Sequence, residues 1–169
     1  MNRQKMMELA DFIESLDKNR FNIGFWISEF SNGNYGVWSN LDVNICNTAG
    51  CIAGWAMAME NGGQVTLPIV SSPENANYNV FNGARILGLT FAQASRLFYV
   101  DSDSVWVEYF QTYADMIDPD IYDELTTYSD YYGGVDVDHL GDAITNEIAA
   151  FMLRNIANGT FVLSNEWSN

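Results

Sequence analysis

The chain has few positively charged residues compared with negatively charged ones. Lys and Arg together number seven and there is one histidine, against 22 Asp and Glu, so the formal net charge is −15. A surface with this excess repels the phosphates of nucleic acids and of anionic membranes, and we therefore expect neither as a direct partner. The deficit is also uneven, because no Lys or Arg occurs between Arg96 and Arg154, where 13 carboxylates fall.

Cysteine and long apolar runs are also scarce. Two cysteines are too few for a disulfide framework, and no apolar run approaches the roughly 18 residues that a membrane span requires. The polar N-terminal residues lead into an amphipathic pattern rather than the apolar segment of a secretion signal, so we expect a cytoplasmic protein. A chain of 169 residues, 48% of them hydrophobic, can bury its own core, which predicts one domain over residues 1–169.

Residues 46–59 are rich in alanine and glycine and carry no charge. Thr48 is a suitable helix N-cap and Asn61-Gly62-Gly63 is a stop signal, so the pattern predicts a helix over residues 49–60. Small side chains let neighbouring backbones approach closely, and we expect this helix at the centre of the core. The predicted structural core motif comprises Cys46, Thr48, Cys51, Gly54 and Trp55.

Apolar residues elsewhere recur at the spacing of an amphipathic helix. The pattern predicts helices over residues 3–17, 80–87, 91–98, 104–113, 119–125 and 139–158, with a capping box at Thr90 and Gln93 and with Gly159 just beyond the last helix. Residues 65–70 could form a short extended segment. We therefore predict a mainly α fold: a compact single-domain helical bundle around a central small-residue helix, with room for one short β segment.

Several motifs together resemble a family of small, largely uncharacterised proteins from bacteria and their phages. Residues 46–56 resemble the family's Cys-Gly-Thr-x-x-Cys-x-Ala-Gly-Trp/His-Ala motif, with Asn47 in place of the usual glycine and Trp55 where many relatives have histidine. The family's later motifs are similar to residues 87–89, 97–98, 142–143 and 159 here. The resemblance implies a compact helical fold and a phage or bacterial origin, and so the host cytoplasm for a phage-encoded chain. It implies no activity.

The two cysteines are open to several interpretations. Cys51, near the start of the predicted helix, could be a nucleophile of lowered pKa assisted by His139 or a carboxylate. Cys46, Cys51 and His139 would make only part of a zinc site. Free cysteines are usually small buried hydrophobic residues, and we predict that both are free, buried and inert. We assign no catalytic residue, metal or cofactor, and keep a cysteine-dependent enzyme using Cys51 or Cys46 as the alternative.

Carboxylates and tyrosines are interleaved in the acidic stretch, which we define as the residues between Arg96 and Arg154. Tyrosine supplies contact area and carboxylates steer a basic partner, whereas a plain solvated face is the simpler interpretation. We favour a small acidic phage-type interaction protein that binds, and could inhibit, a basic nucleic-acid-binding host protein in the manner of a nucleic-acid mimic. The predicted partner-binding residues are Asp101, Asp103, Glu108, Asp115, Asp118, Asp120, Tyr122, Asp123, Glu124 and Asp130.

Overall fold

Helices account for most of the chain that the computed structural model describes. The described residues are 1–23, 27–31, 34–36, 41–42, 48–62, 64–65, 73–100, 104–112, 141 and 143–165. Their helices are α1 (Arg3–Glu14), α2 (Ile52–Glu60), α3 (Pro73–Leu87), α4 (Phe91–Phe98), α5 (Val105–Thr112) and α6 (Asn146–Asn158). Their strands are β1 (Ile27–Ser31), β2 (Asn34–Gly36), β3 (Leu41–Asp42), β4 (Thr48–Gly50) and β5 (Gln64–Val65). The predicted mainly α fold is confirmed.

The strands form two small antiparallel units beside the helices. In the first, β1 lies between β2 and β4, with Ile27 opposite Gly50 and Glu29 opposite Thr48. In the second, β3 pairs with β5. The extended segment expected at residues 65–70 is seen at its first residue, in β5, and residues 66–70 lie outside the described residues. The first unit is not foreseen from the sequence, because its strands are short and β4 joins β1 from residues about 20 positions away.

The central helix begins later than the prediction of residue 49. Cys51 is the N-cap, with extended backbone angles (φ −83°, ψ −178°), and the helix starts at Ile52. Thr48 is not the N-cap, because residues 48–50 pair with β1 instead. Cross-strand hydrogen bonds satisfy the backbone groups that a helical turn would otherwise have used. The helix ends at Glu60 as predicted, and Gly62 just beyond it has a φ of +61°.

Helix α2 lies at the centre of the core, as its composition suggested. Every residue from Ile52 to Ala58 is buried, and the helix packs against α1 and α3. The Trp55 ring meets the Phe12 ring of α1 edge to face at 5.4 Å, and its indole N–H donates to the Arg20 carbonyl at 3.2 Å. The buried indole therefore has both an aromatic neighbour and a hydrogen-bond acceptor, as a buried tryptophan requires.

Helices α1 and α6 pack against each other along the other side of α1. The Asn146 side-chain amide, at the start of α6, donates to the carbonyls of Ile13 and Leu16 at 3.4 and 3.0 Å, near the end of α1. Further along α6, the Arg154 guanidinium donates to the carboxylates of Asp11 and Glu14 at 2.7 and 2.6 Å. Side chains of α6 thus satisfy the carbonyls at the end of α1 and pair with its charges.

Other helix boundaries differ from the prediction in ways that capping explains. The last helix was predicted from residue 139, but α6 starts at Asn146 because the Thr145 hydroxyl caps the Ile148 N–H at 3.3 Å. Gly159, with a φ of +75°, ends it as predicted.

The capping box of Thr90 and Gln93 is confirmed at the start of α4. Helix α1 stops at residue 14, before the predicted 17, and α3 starts at residue 73, before the predicted 80. The helix predicted over 119–125 lies outside the described residues.

Gly83 marks the closest approach between α3 and its neighbours, and it generates a stability prediction. A Cβ atom at this position would lie 2.6 Å from Cε2 of the buried Phe98 ring and 3.2 Å from Cβ of Ala53. Gly83→Ala should therefore lower the free energy of unfolding by about 1–3 kcal/mol, as overpacked cores do. Chemical denaturation measures the change.

Gly141→Ala is the matched control, since a Cβ there meets Cγ2 of Ile23 at an ordinary 3.6 Å. Helical Gly→Ala substitutions without a clash usually stabilise by up to about 1 kcal/mol. If Gly83→Ala were as stable as the wild type or more stable, the close contact with Phe98 would be wrong.

Candidate functional site

Glu108 is the member of the predicted partner-binding surface that the structure describes. It lies on α5, its side chain is 57% exposed, and Oε2 is 3.7 Å from Nη2 of Arg96 on α4. Its exposure suits a role in contact with a partner. The other predicted residues lie outside the described residues, and their common location on one face stays a prediction: Asp101, Asp103, Asp115, Asp118, Asp120, Tyr122, Asp123, Glu124 and Asp130.

Arg96, the last cation before the acidic stretch, has a side chain that is largely buried in the protein. Its side chain is only 10% exposed, although the residue lies in the last turn of a surface helix. The Glu108 contact of 3.7 Å is longer than a hydrogen bond, so it is an ion pair held by charge alone. Because the side chain is covered, Arg96 presents little positive charge at the surface.

Lys5 and Arg154 also form ion pairs with carboxylates of the chain. Lys5 pairs with Glu60, and this ammonium holds the pKa of that carboxyl below its usual range. Arg154, at the far end of the acidic stretch, bonds to Glu14 and lowers the pKa of its carboxyl, and the same contacts raise the pKa of the guanidinium. The two cations that bound the acidic stretch, Arg96 and Arg154, are therefore both paired with carboxylates.

The distribution of charge along the chain separates its two parts. The acidic stretch holds 13 carboxylates, one histidine and no Lys or Arg, for a formal net charge of −13. The remaining residues hold all seven Lys and Arg and nine carboxylates, for a net charge of −2. Charge outside the acidic stretch is thus almost balanced, and the negative excess of the chain lies within it.

The predicted core motif is divided between β4 and α2. Gly54 and Trp55 are buried in α2, Thr48 opens β4, and Cys46 lies outside the described residues. Cys51 between the two elements is 1% exposed, and burial raises the pKa of its thiol to about 11, although nearby backbone N–H groups act in the opposite direction. A nucleophile requires a lowered pKa and an open approach. Cys51 is therefore buried as predicted, and its raised pKa argues against the low-pKa thiol that the alternative of a cysteine-dependent enzyme requires there. His139, the suggested base of that alternative, lies outside the described residues.

The burial of Cys51 generates a reactivity prediction. In a Cys46→Ser variant Cys51 is the single thiol, and iodoacetamide at pH 8 should label it slowly until denaturant is added. The reason is that the sulfur is covered and stays protonated well above the usual thiol pKa of about 8.5. The rate is followed by mass spectrometry, with the urea-unfolded variant as the control. Fast labelling of the folded variant at about pH 6 would contradict this prediction and favour the alternative of a cysteine-dependent enzyme.

A groove between α1, α2 and α3 is a feature that the sequence does not reveal. Its volume is about 80 Å³, and it is open on one side. Apolar side chains of Leu9, Ala56, Ile86 and Leu87 form its buried part, and Lys5, Glu8, Met59 and Glu60 form the rest of its lining. These residues come from three parts of the chain about 30 to 80 positions apart, so no local pattern could have brought them together.

Neither a cluster of metal ligands nor a bilayer-spanning helix occurs in the described ranges. Those ranges contain no group of three or more His, Cys, Asp or Glu placed to hold a metal ion. They also contain no helix whose length and apolar character would let it cross a bilayer. Comparison of the chain with protein-family models, with curated proteins and with solved structures returned no match.

Proposed function

We propose that this protein is an acidic interaction protein that binds a basic, nucleic-acid-binding protein through the acidic stretch. The observation that carries the proposal is the separation of charge along the chain: a net −13 between Arg96 and Arg154, against −2 over the remaining residues. The resemblance of residues 46–56 to bacterial and phage proteins supports a host protein as the partner, met in the host cytoplasm. Inhibition of that partner would follow if the acidic stretch occupied its nucleic-acid site.

Uncompensated carboxylates act on a partner before contact is made. At an ionic strength of 0.1 M the field of an exposed charge extends about 10 Å, so 13 carboxylates in a stretch without Lys or Arg would raise the rate of encounter with a basic surface. The burial of Arg96 and the pairing of Arg154 favour this effect, because neither offers a free positive charge next to the acidic stretch. Tyr122 and its neighbouring tyrosines would supply contact area once the complex forms.

The proposal is tested first by capture of basic proteins from a lysate and then by measurement of the association rate of the purified partner. The immobilised chain should retain basic proteins from a bacterial lysate at about 50 mM salt and release them at about 200 mM or on addition of duplex DNA, as expected of a competitor for a nucleic-acid site. For the purified partner, Asp118→Asn with Asp120→Asn should lower the association rate and reduce its salt dependence.

A matched control removes the same charge elsewhere. Glu8→Gln with Asp17→Asn also eliminates two carboxylates, both exposed and both outside the acidic stretch. If the two double variants slowed association equally, net charge alone would explain the effect and the proposed surface would be wrong. A partner whose binding did not change with salt, with DNA or with either double variant would contradict the proposal.

A further inference from the structure

An aromatic pair is exposed on the surface of α3 and α4. The ring centroids of Phe81 and Phe91 are 4.6 Å apart, and the two residues are 60% and 36% exposed. Arg85, which is also exposed, follows Phe81 by four residues and therefore lies on the same face of α3. We call these three residues the aromatic patch. Exposed apolar surface beside a charge is typical of an interaction site.

The charge of this region is opposite to that of the chain as a whole. Residues 75–100 contain two Arg and no Asp or Glu, and they are the longest interval without a carboxylate in the chain. Arg96 is covered, so Arg85 supplies the exposed charge. Its field reaches Glu60, but no described carboxylate forms an ion pair with it. An occupant that complements the aromatic patch therefore combines an aromatic side chain with a carboxylate.

The last described residues of the chain lead towards the aromatic patch. The Gln93 side-chain amide donates to the Leu163 carbonyl at 3.0 Å, and the Thr90 hydroxyl donates to Oδ1 of Asn165 at 2.8 Å. Residues 163–165 thus follow the first turn of α4 back to the residue that precedes Phe91. Two further residues of extended chain span about 7 Å, which brings the side chain of residue 167 within reach of the Phe91 ring.

We propose that the aromatic patch docks residues 166 and 167 of this chain, with the Trp167 indole on the rings of Phe81 and Phe91 and the Glu166 carboxylate beside Arg85. Both residues lie outside the described residues, and together they have the ring and the carboxylate that complement the aromatic patch. The proposal goes beyond the proposed function, because the aromatic patch and the acidic stretch are different surfaces.

The short connection to Asn165 favours this occupant over the same segment of a second copy. A tether of a few residues gives an effective concentration of about millimolar, far above that of a second copy in dilute solution. Two copies, each with a formal net charge of −15, also repel each other. While the segment is docked it covers the aromatic patch, so an acidic segment of another protein has to displace it.

The test uses ¹⁹F NMR of the full chain labelled with 5-fluorotryptophan. The chain has five tryptophans, and Trp167→Phe assigns the resonance of residue 167. In the wild type this resonance should be displaced from its position in the urea-unfolded chain and should not change with protein concentration. Phe81→Ser should move it most of the way to the unfolded position. The resonances of the buried Trp55 and Trp106 report in the same spectrum that the variant is folded.

Matched controls separate the aromatic patch from general surface effects. Met59→Ser removes an exposed apolar side chain elsewhere and should leave the resonance in place. Arg85→Gln should shift it part of the way, whereas Lys18→Gln, which removes another exposed cation, should not. A wild-type resonance at the unfolded position, or equal effects of Phe81→Ser and Met59→Ser, would overturn the proposal. A displacement that grows with protein concentration would also overturn it and would assign the aromatic patch to a second copy.

Discussion

The burial of α2 is the constraint on which the rest of the structure depends. A nine-residue helix with no charge before its final residue must be covered, and Ala53, Gly54 and Ala56 let α1 and α3 approach it closely. Helix α6 then packs on α1 and supplies the polar groups that the end of α1 requires. The exposed end of α2, at Met59 and Glu60, lines the groove together with residues of α1 and α3.

The few cations of the chain are used within this helical arrangement. Lys5 connects α1 to α2, Arg154 connects α6 to α1, and Arg96 lies between α4 and α5. Exposed ion pairs of this kind contribute little to stability individually, yet they decide where positive charge is found. These three of the seven cations are paired within the helical part, and no Lys or Arg lies in sequence among the carboxylates between Arg96 and Arg154. The proposed function follows from that distribution.

Sequence patterns predict the parts of this fold that local chemistry determines. The core helix, the capping box at Thr90 and the terminal glycine at 159 depend on neighbouring residues, and the structure has all of them. The start of α2 could not be found in this way, because the pairing of residues 48–50 with β1 overrides the capping preference of Thr48. Of the candidate site, the sequence identifies the acidic stretch from charge alone. The groove depends on three distant segments and is visible only in the fold.

The proposed function requires that the acidic stretch carry a negative field that no Lys or Arg within it neutralises. The single histidine of that stretch can report the field. His139 is the only histidine in the chain, and Asp136, Asp138 and Asp142 are its neighbours in sequence. NMR titration of its ring protons at low and high salt is therefore the most direct measurement. We expect a pKa above the usual value of about 6.5 at low salt, and we expect it to fall towards that value as salt is added. A pKa at or below the usual value, unchanged by salt, would contradict it.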